Sequence, residues 1–424
     1  MEVTENQDTL NRYKKIRRQT LDVCAPLHTE DYVVQPVIDV SPPKWHLAHT
    51  SWFFETFILK KLYVGYNEFH PLYNYIFNSY YDSVGERVLR ADRGNLTRPS
   101  VEEVLAYRKH VDENMLALID VLKDEDQKQF SAFFEVGLQH EQQHQELLVT
   151  DIKYILGHNP LQPAYIQKEK PYSDLNESKH FPAIQYMEIP GGMYEIGYDG
   201  DAFAWDNESP KHKVYLQDFK IADRLVTNAE YLQFIEDGGY KNFRYWLSDG
   251  WQIVEEKSLQ APLYWENIEG KWHNYTLRGL EEIEPNEPVT HISFYEADAY
   301  ASWAGKRLLT EFEWEAASQV LKPENSGNFL EENNFHPAKA KPENGQIQQF
   351  FGDCWEWTYS GYFPYPGYKR AEGPLGEYNG KFMINQMILR GGSCATPRDH
   401  FRPTYRNFFQ PNLRWQFTGI RLGE

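Results

Sequence analysis

The chain is poor in cysteine, in long apolar runs and in positive charge, and each shortage removes a class of protein. Three cysteines, Cys24, Cys354 and Cys394, are too few and too scattered among 424 residues for a disulfide framework. No apolar stretch reaches the roughly 20 residues that a membrane span requires, and no basic-then-apolar run near the start suggests a signal peptide. Lysine and arginine total 43 against 62 acidic residues, a net charge of −19, so nucleic-acid phosphates would be repelled. A cytoplasmic location, with no nucleic-acid or membrane partner, is the expectation.

What is plentiful is aromatic. Rings make up 16 % of the residues, including 29 Tyr and 12 Trp. They suit a ring-rich core and a ring-lined pocket equally. With 41 % hydrophobic residues the chain can bury a sizeable core, and its length predicts two to three domains.

The two halves differ in texture. Up to about residue 160 apolar residues recur at three- and four-residue spacings, clearest over Glu102 to Leu122 and Gln127 to Leu156, which predicts a four-helix bundle. Ser41 is placed to cap a helix with Pro42 in its first position, running through Trp52 toward Leu62. A charged stretch with two prolines, from about Ala164 to Pro182, predicts a linker. Beyond it, glycine-rich turns, short β-prone runs and brief helices predict an α+β domain. Two of those helices are announced by capping boxes, Ser293 with Glu296 and Thr310 with Glu313, and Gly305 stands where the first should end.

The sharpest chemical signal is His140-Glu141-Gln142-Gln143-His144. Two histidines four apart on a helix differ by about 40° around its axis, so both imidazoles can reach one ion. Phe133, Leu147 and Asp151 fall within about 20° of His140, which marks the stripe as inward-facing yet polar. Buried imidazoles need partners, and a metal supplies one; a hydrogen bond across the bundle is the plainer alternative. A third imidazole on another inward helix favours the metal, and His46 and His49 both qualify on spacing. Three imidazoles without carboxylate or thiolate suit zinc, copper or iron.

Trp45-His46-Leu47-Ala48-His49-Thr50-Ser51-Trp52-Phe53-Phe54-Glu55, with His140 to Glu146, resembles the DinB-like bundle of ergothioneine-biosynthesis sulfoxide synthases. The second half resembles the formylglycine-generating-enzyme type of C-type-lectin-like domain. Its marks are Ile189-Pro190-Gly191-Gly192, Arg307 to Glu315, Gly352 to Thr358 and Leu389-Arg390-Gly391-Gly392-Ser393. The implied organisation is a multi-domain chain. An all-α DinB-like bundle over residues 1–165 carries the metal ligands. A linker spans 166–182, and an α+β lectin-like domain over 183–424 completes the substrate pocket. Formylglycine generation itself needs two neighbouring cysteines, which Cys354 and Cys394, 40 residues apart, do not offer.

The resemblance implies His49, His140 and His144 as ligands of non-haem iron(II), with O2 as co-substrate, and leaves His46 a packing or supporting role. It implies a hercynine oxygenase that joins a thiol, cysteine or γ-glutamylcysteine, to the imidazole of hercynine (Nα-trimethylhistidine) as a sulfoxide. Tyr80 and Tyr81 are similar to a tyrosine pair of one branch and become candidates for proton delivery, since a phenol stays protonated at neutral pH.

Arg87, Arg90 and Arg93 recur every three residues, and guanidinium forks suit carboxylates. The family favours Arg90 and Arg93, against a solvated basic face paired with Glu86 and Asp92. Gln143, about 60° from His140, could bond hercynine. Asn407, Phe408 and Phe409, in a segment similar to the one that closes the family's pocket, could surround its trimethylammonium. Free cysteine is the favoured donor. The rival readings are a selenoneine-type synthase with a selenosugar donor, a zinc-dependent DinB-type thiol transferase or hydrolase, and a non-catalytic binding module.

Overall fold

The computed structural model describes residues 2–167, 182–341, 345–370 and 376–424, with side chains from Gln7 onward. It divides into two compact units, Met1–Tyr165 and Ile166–Glu424. Most of the expected linker lies outside the described residues.

The first unit is built on four long helices: α1 (Glu2–Cys24), α2 (Pro43–Phe54), α3 (Val101–Val121) and α4 (Gln127–Gly157). The periodic stretches read from the sequence thus become α3 and α4. After Phe54, α2 continues through a π-helical turn, Glu55–Leu59, and a last turn, Lys60–Leu62. Its start falls one residue later than expected, at Pro43, with Pro42 extended at φ −60° and ψ 140°. A residue before proline is driven out of the helical region, so Pro42 cannot open the helix. Ser41 is no cap either. Its N–H donates to Asp151 at 2.8 Å, and its hydroxyl accepts from Arg93 at 2.9 Å.

Every residue of α2 is buried, including Lys44, His46, His49, Thr50 and Ser51. Polar groups taken out of water must find partners. Lys44 donates to the carbonyls of Leu96 and Pro99 at 2.7 and 2.8 Å, and Ser51 to that of Leu47 at 3.0 Å.

One charged cluster ties the four helices together. Glu141 on α4 accepts from Arg17 of α1 at 2.8 Å, from Thr20 of α1 at 2.6 Å and from Arg108 of α3. Arg17 and Arg108 in turn donate to Ser51 and Thr50 of α2, at 2.9 and 3.1 Å. Burial alone would raise the Glu141 pKa, but the Arg108 and Arg17 guanidiniums hold it down to about 2.

The second unit contains two four-stranded sheets. One orders Tyr186–Ile189, Phe219–Ala222, Leu422–Gly423 and Arg307–Leu308; the other orders Asn407–Phe409, Met387–Arg390, Trp355–Gly361 and Thr418–Gly419. Ile189, Phe219, Ile221, Trp314, Phe350 and Phe401 belong to its core. Helices Phe294–Trp303 and Glu311–Leu321 begin at the capping boxes of Ser293 and Thr310, and Gly305 follows the first with φ +65°.

The motif residues of this half make buried ion pairs. Glu311 holds Arg406 at 2.8 and 2.9 Å, Glu315 holds Arg390, and Glu356 holds Arg421 at 2.8 Å. Trp355 and Trp357 are core residues, each 1 % exposed. Cys24, Cys354 and Cys394 are buried free thiols.

Removing one partner of a buried charge cluster leaves the others uncompensated, at a cost of about 3–5 kcal/mol. Glu141→Gln should therefore destabilise the bundle by about that amount in chemical denaturation. Asp22→Asn, which breaks the exposed Arg18–Asp22 pair, should leave the same transition nearly unmoved.

Candidate metal centre

His140 and His144, one turn apart on α4, face His49 of α2. One ring nitrogen from each of the three lies within 4.8 Å of the other two, and all three residues are buried. The rings stand edge to face. Centroids are 4.9 Å apart for His49 and His140, 4.8 Å for His49 and His144, and 4.6 Å for His140 and His144.

Burial keeps the imidazoles neutral. It pulls His140 down to about 3, against the opposing charge of Glu141. It holds His49 and His144 well below the ordinary imidazole value, with the neighbouring His140 adding to the effect in both. Neutral rings keep a lone pair for a metal at physiological pH.

The hydrogen bonds also fit an ion. Nδ1–H of His49 donates to the Phe77 carbonyl at 2.6 Å, and its buried Nε2 has no hydrogen-bond partner among the described residues. A buried ring nitrogen left over in this way is what a metal ligand requires. His46, the other spacing candidate, is engaged elsewhere: its Nδ1 meets Nδ1 of His144 at 2.8 Å and its Nε2 meets Asp151 at 3.0 Å.

Aromatic layers wall the triad. The Arg93 guanidinium sits 3.4 Å from the Trp45 ring centroid, Trp45 stacks on His49 at 4.4 Å, and His49 stacks on Trp52 at 5.3 Å. Tyr81, fully buried, packs 5.5 Å from Trp52 and 6.3 Å from Phe53, and Phe53 lies 4.9 Å from His140. Tyr81 is therefore one ring layer from the histidines. Tyr80, partly exposed, stacks on it at 4.8 Å. Asn78 braces this loop by donating to the Tyr81 and Gly85 carbonyls at 3.2 and 3.1 Å.

The three arginines separate. Arg93 is 6 % exposed, donates to Ser41 and to Ser79 at 2.9 and 3.1 Å, and has no carboxylate ion-pair partner among the described residues. Burial first, then the charge of Arg90, holds its pKa well down. Arg87 pairs with Asp82, rather than with Glu86 or Asp92, and Arg90 is exposed and donates to the Asp39 carbonyl.

Gln143 is half-buried on α4. In the second unit Asn407, Phe408 and Phe409 form a partly buried strand. Phe408 stacks on Tyr362 at 4.1 Å, Phe409 lies 5.4 Å from Trp415, and the Asn407 side chain accepts from the Phe408 N–H at 2.9 Å.

The contacts of Ser41, His46 and Asp151 were not foreseen from the sequence, although the face of Asp151 was. The run from His140 to His144 also fits the His-Glu-x-x-His pattern of zinc hydrolases, whose glutamate is a general base. Here Glu141 turns into the Arg17–Arg108 cluster, away from the histidines, and is not available as a base.

The chain matches two family models: the DinB superfamily over residues 12–148 and the Sulfatase-modifying factor enzyme 1-like domain over 171–423. A hercynine oxygenase of Mycolicibacterium smegmatis is 31 % identical over 409 residues, covering 90 % of this chain and 91 % of that protein. One from Mycobacterium tuberculosis is 31 % identical over 412 residues, with the same coverage. A formylglycine-generating enzyme of Streptomyces coelicolor is 30 % identical over 246 residues, 49 % of this chain and 77 % of that protein.

These matches define a two-domain class in which a DinB bundle precedes a sulfatase-modifying-factor domain. The chain belongs to the hercynine oxygenase family.

Single replacement of His49, His140 or His144 by alanine should abolish stoichiometric uptake of a divalent metal, measured by elemental analysis after anaerobic loading. Helical circular dichroism should persist. Full metal occupancy in His49→Ala would remove α2 from the site.

Proposed function

We propose that the protein is an O2-dependent, non-haem iron(II) sulfoxide synthase that joins hercynine to a thiol, with free cysteine as the favoured donor. Family membership and three converging neutral imidazoles, one with a buried nitrogen that has no hydrogen-bond partner among the described residues, support this reading. Bound to His49, His140 and His144, iron(II) would activate O2 and hold the reacting sulfur close to the imidazole.

The chain's own residues suit the other roles this reaction requires. Arg93 is a buried cation lacking a carboxylate partner among the described residues, and a charge in that state is costly until an anion joins it. The carboxylate of the thiol substrate would supply that anion, and Arg90 sits one helical turn away, on the same Arg90–Asn95 segment. The hydroxyl of Tyr80 or Tyr81 would deliver a proton to the reduced co-substrate. Gln143 would orient hercynine by a hydrogen bond; Asn407, Phe408 and Phe409 have the chemistry a trimethylammonium group calls for, since ring faces attract a cation. A selenosugar has no carboxylate for Arg93 to hold.

Anaerobic loading with iron, followed by hercynine, O2 and each donor in turn, should give the cysteine-derived sulfoxide by mass spectrometry. Full turnover with zinc, or turnover without O2, would overturn the oxidative reading. Arg93→Gln should raise KM for cysteine about 10- to 100-fold, as expected for losing a hydrogen bond to a charged group. Unchanged KM would remove the carboxylate grip. Replacing Tyr80 and Tyr81 together by phenylalanine should slow sulfoxide formation by about 10²- to 10⁴-fold, the usual worth of a positioned acid, with iron content unchanged.

A further inference from the structure

The polar chain that runs away from His144 has only one direction compatible with a bound metal. A neutral imidazole that gives one nitrogen to an ion must carry its proton on the other. His144 offers Nδ1 to Nδ1 of His46 at 2.8 Å, so Nε2 is the nitrogen left for the ion. Its Nδ1–H must then donate, and Nδ1 of His46 must accept.

That places the His46 proton on Nε2, where the Asp151 carboxylate accepts it at 3.0 Å. The same carboxylate oxygen also accepts the Ser41 N–H at 2.8 Å. Every donor in this series faces an acceptor. Were the direction reversed, His144 would carry its proton on Nε2 and lose its ligand atom, while the Asp151 carboxylate would face a bare nitrogen lone pair.

Burial makes the choice sharp. His46 is 2 % exposed and Asp151 is buried, so solvent cannot stand in for a missing acceptor. The elements are fixed as well: His46 is one turn before His49 on α2, and Asp151 is two turns beyond His144 on α4. The chain therefore crosses twice between the two helices that carry the ligands.

We propose that His46 and Asp151 are positioning residues that hold His144 in its Nδ1–H tautomer and aim Nε2 at the metal, as the Phe77 carbonyl does for His49. The inference rests on the three-histidine site and adds a carboxylate–imidazole support to one of its ligands. Supports of this kind are typically worth 10- to 100-fold in metal affinity.

Cobalt(II) titration of the full-length protein, followed by visible absorption, tests it. The wild type should develop d–d bands at one equivalent, and His140→Ala should not. His46→Phe should bind cobalt about 10- to 100-fold more weakly with altered bands. His46→Gln, which returns a carbonyl acceptor to Nδ1–H, should recover most of the affinity. Asp151→Asn keeps the shape but weakens the acceptor, and should fall between wild type and His46→Phe. It carries the test alone if His46→Phe does not fold.

Wild-type affinity and bands in a folded His46→Phe or in Asp151→Asn would overturn the inference while leaving the three-histidine site standing. Loss that His46→Gln does not rescue would also overturn it, as the mark of a packing role. A wild type without cobalt bands would overturn the site itself and the support with it.

Discussion

The rotational setting of α4 is the constraint on which the rest depends. Glu141 is drawn toward α1 and α3 by two buried guanidiniums and a hydroxyl. Consecutive helical residues point about 100° apart, so fixing Glu141 on one side turns the neighbouring His140 and, a turn later, His144 toward α2. Because α2 has no exposed face, the imidazoles meet where water cannot serve them. Desolvation then keeps them neutral, and neutrality leaves each a lone pair that a metal could take. A cluster that looks structural thus sets the chemistry of the residues beside it.

The surroundings extend that logic into electrostatics. On the proposed reading, three neutral ligands leave the full charge of a divalent ion in place. Arg93 adds a buried positive charge beyond Trp45, and the triad itself contains no carboxylate. On the same reading such surroundings would favour anions, and a thiol-bearing amino acid would bring two, its sulfur and its carboxylate. The Arg93–Trp45–His49–Trp52 column holds the guanidinium and the His49 imidazole in one stack.

Much of this was legible in the sequence, because helical spacing converts directly into angle. The shared face of His140, His144 and Asp151, the spans of α3 and α4, and the capping boxes at Ser293 and Thr310 follow from local rules. What spacing does not contain is which neighbour stands opposite a given face. His46 and His49 were therefore equivalent until family resemblance and then tertiary contacts parted them. The partners of Glu141 lie 33 to 124 residues away in the chain. Ser41 misled for the same reason: a good local cap was taken up by Asp151 and Arg93, and the proline pair shifted the helix start. Arg87, Arg90 and Arg93 look alike in sequence, and it is burial and its serine and ring partners that set the last apart.

Iron-edge anomalous diffraction from crystals loaded without oxygen would locate an ion among the three imidazoles. One strong peak is expected at bonding distance from Nε2 of both His49 and His144 and from one nitrogen of His140. A peak bonded to His140 and His144 but beyond the reach of His49, or one held by the His46–Asp151 pair instead, would contradict it.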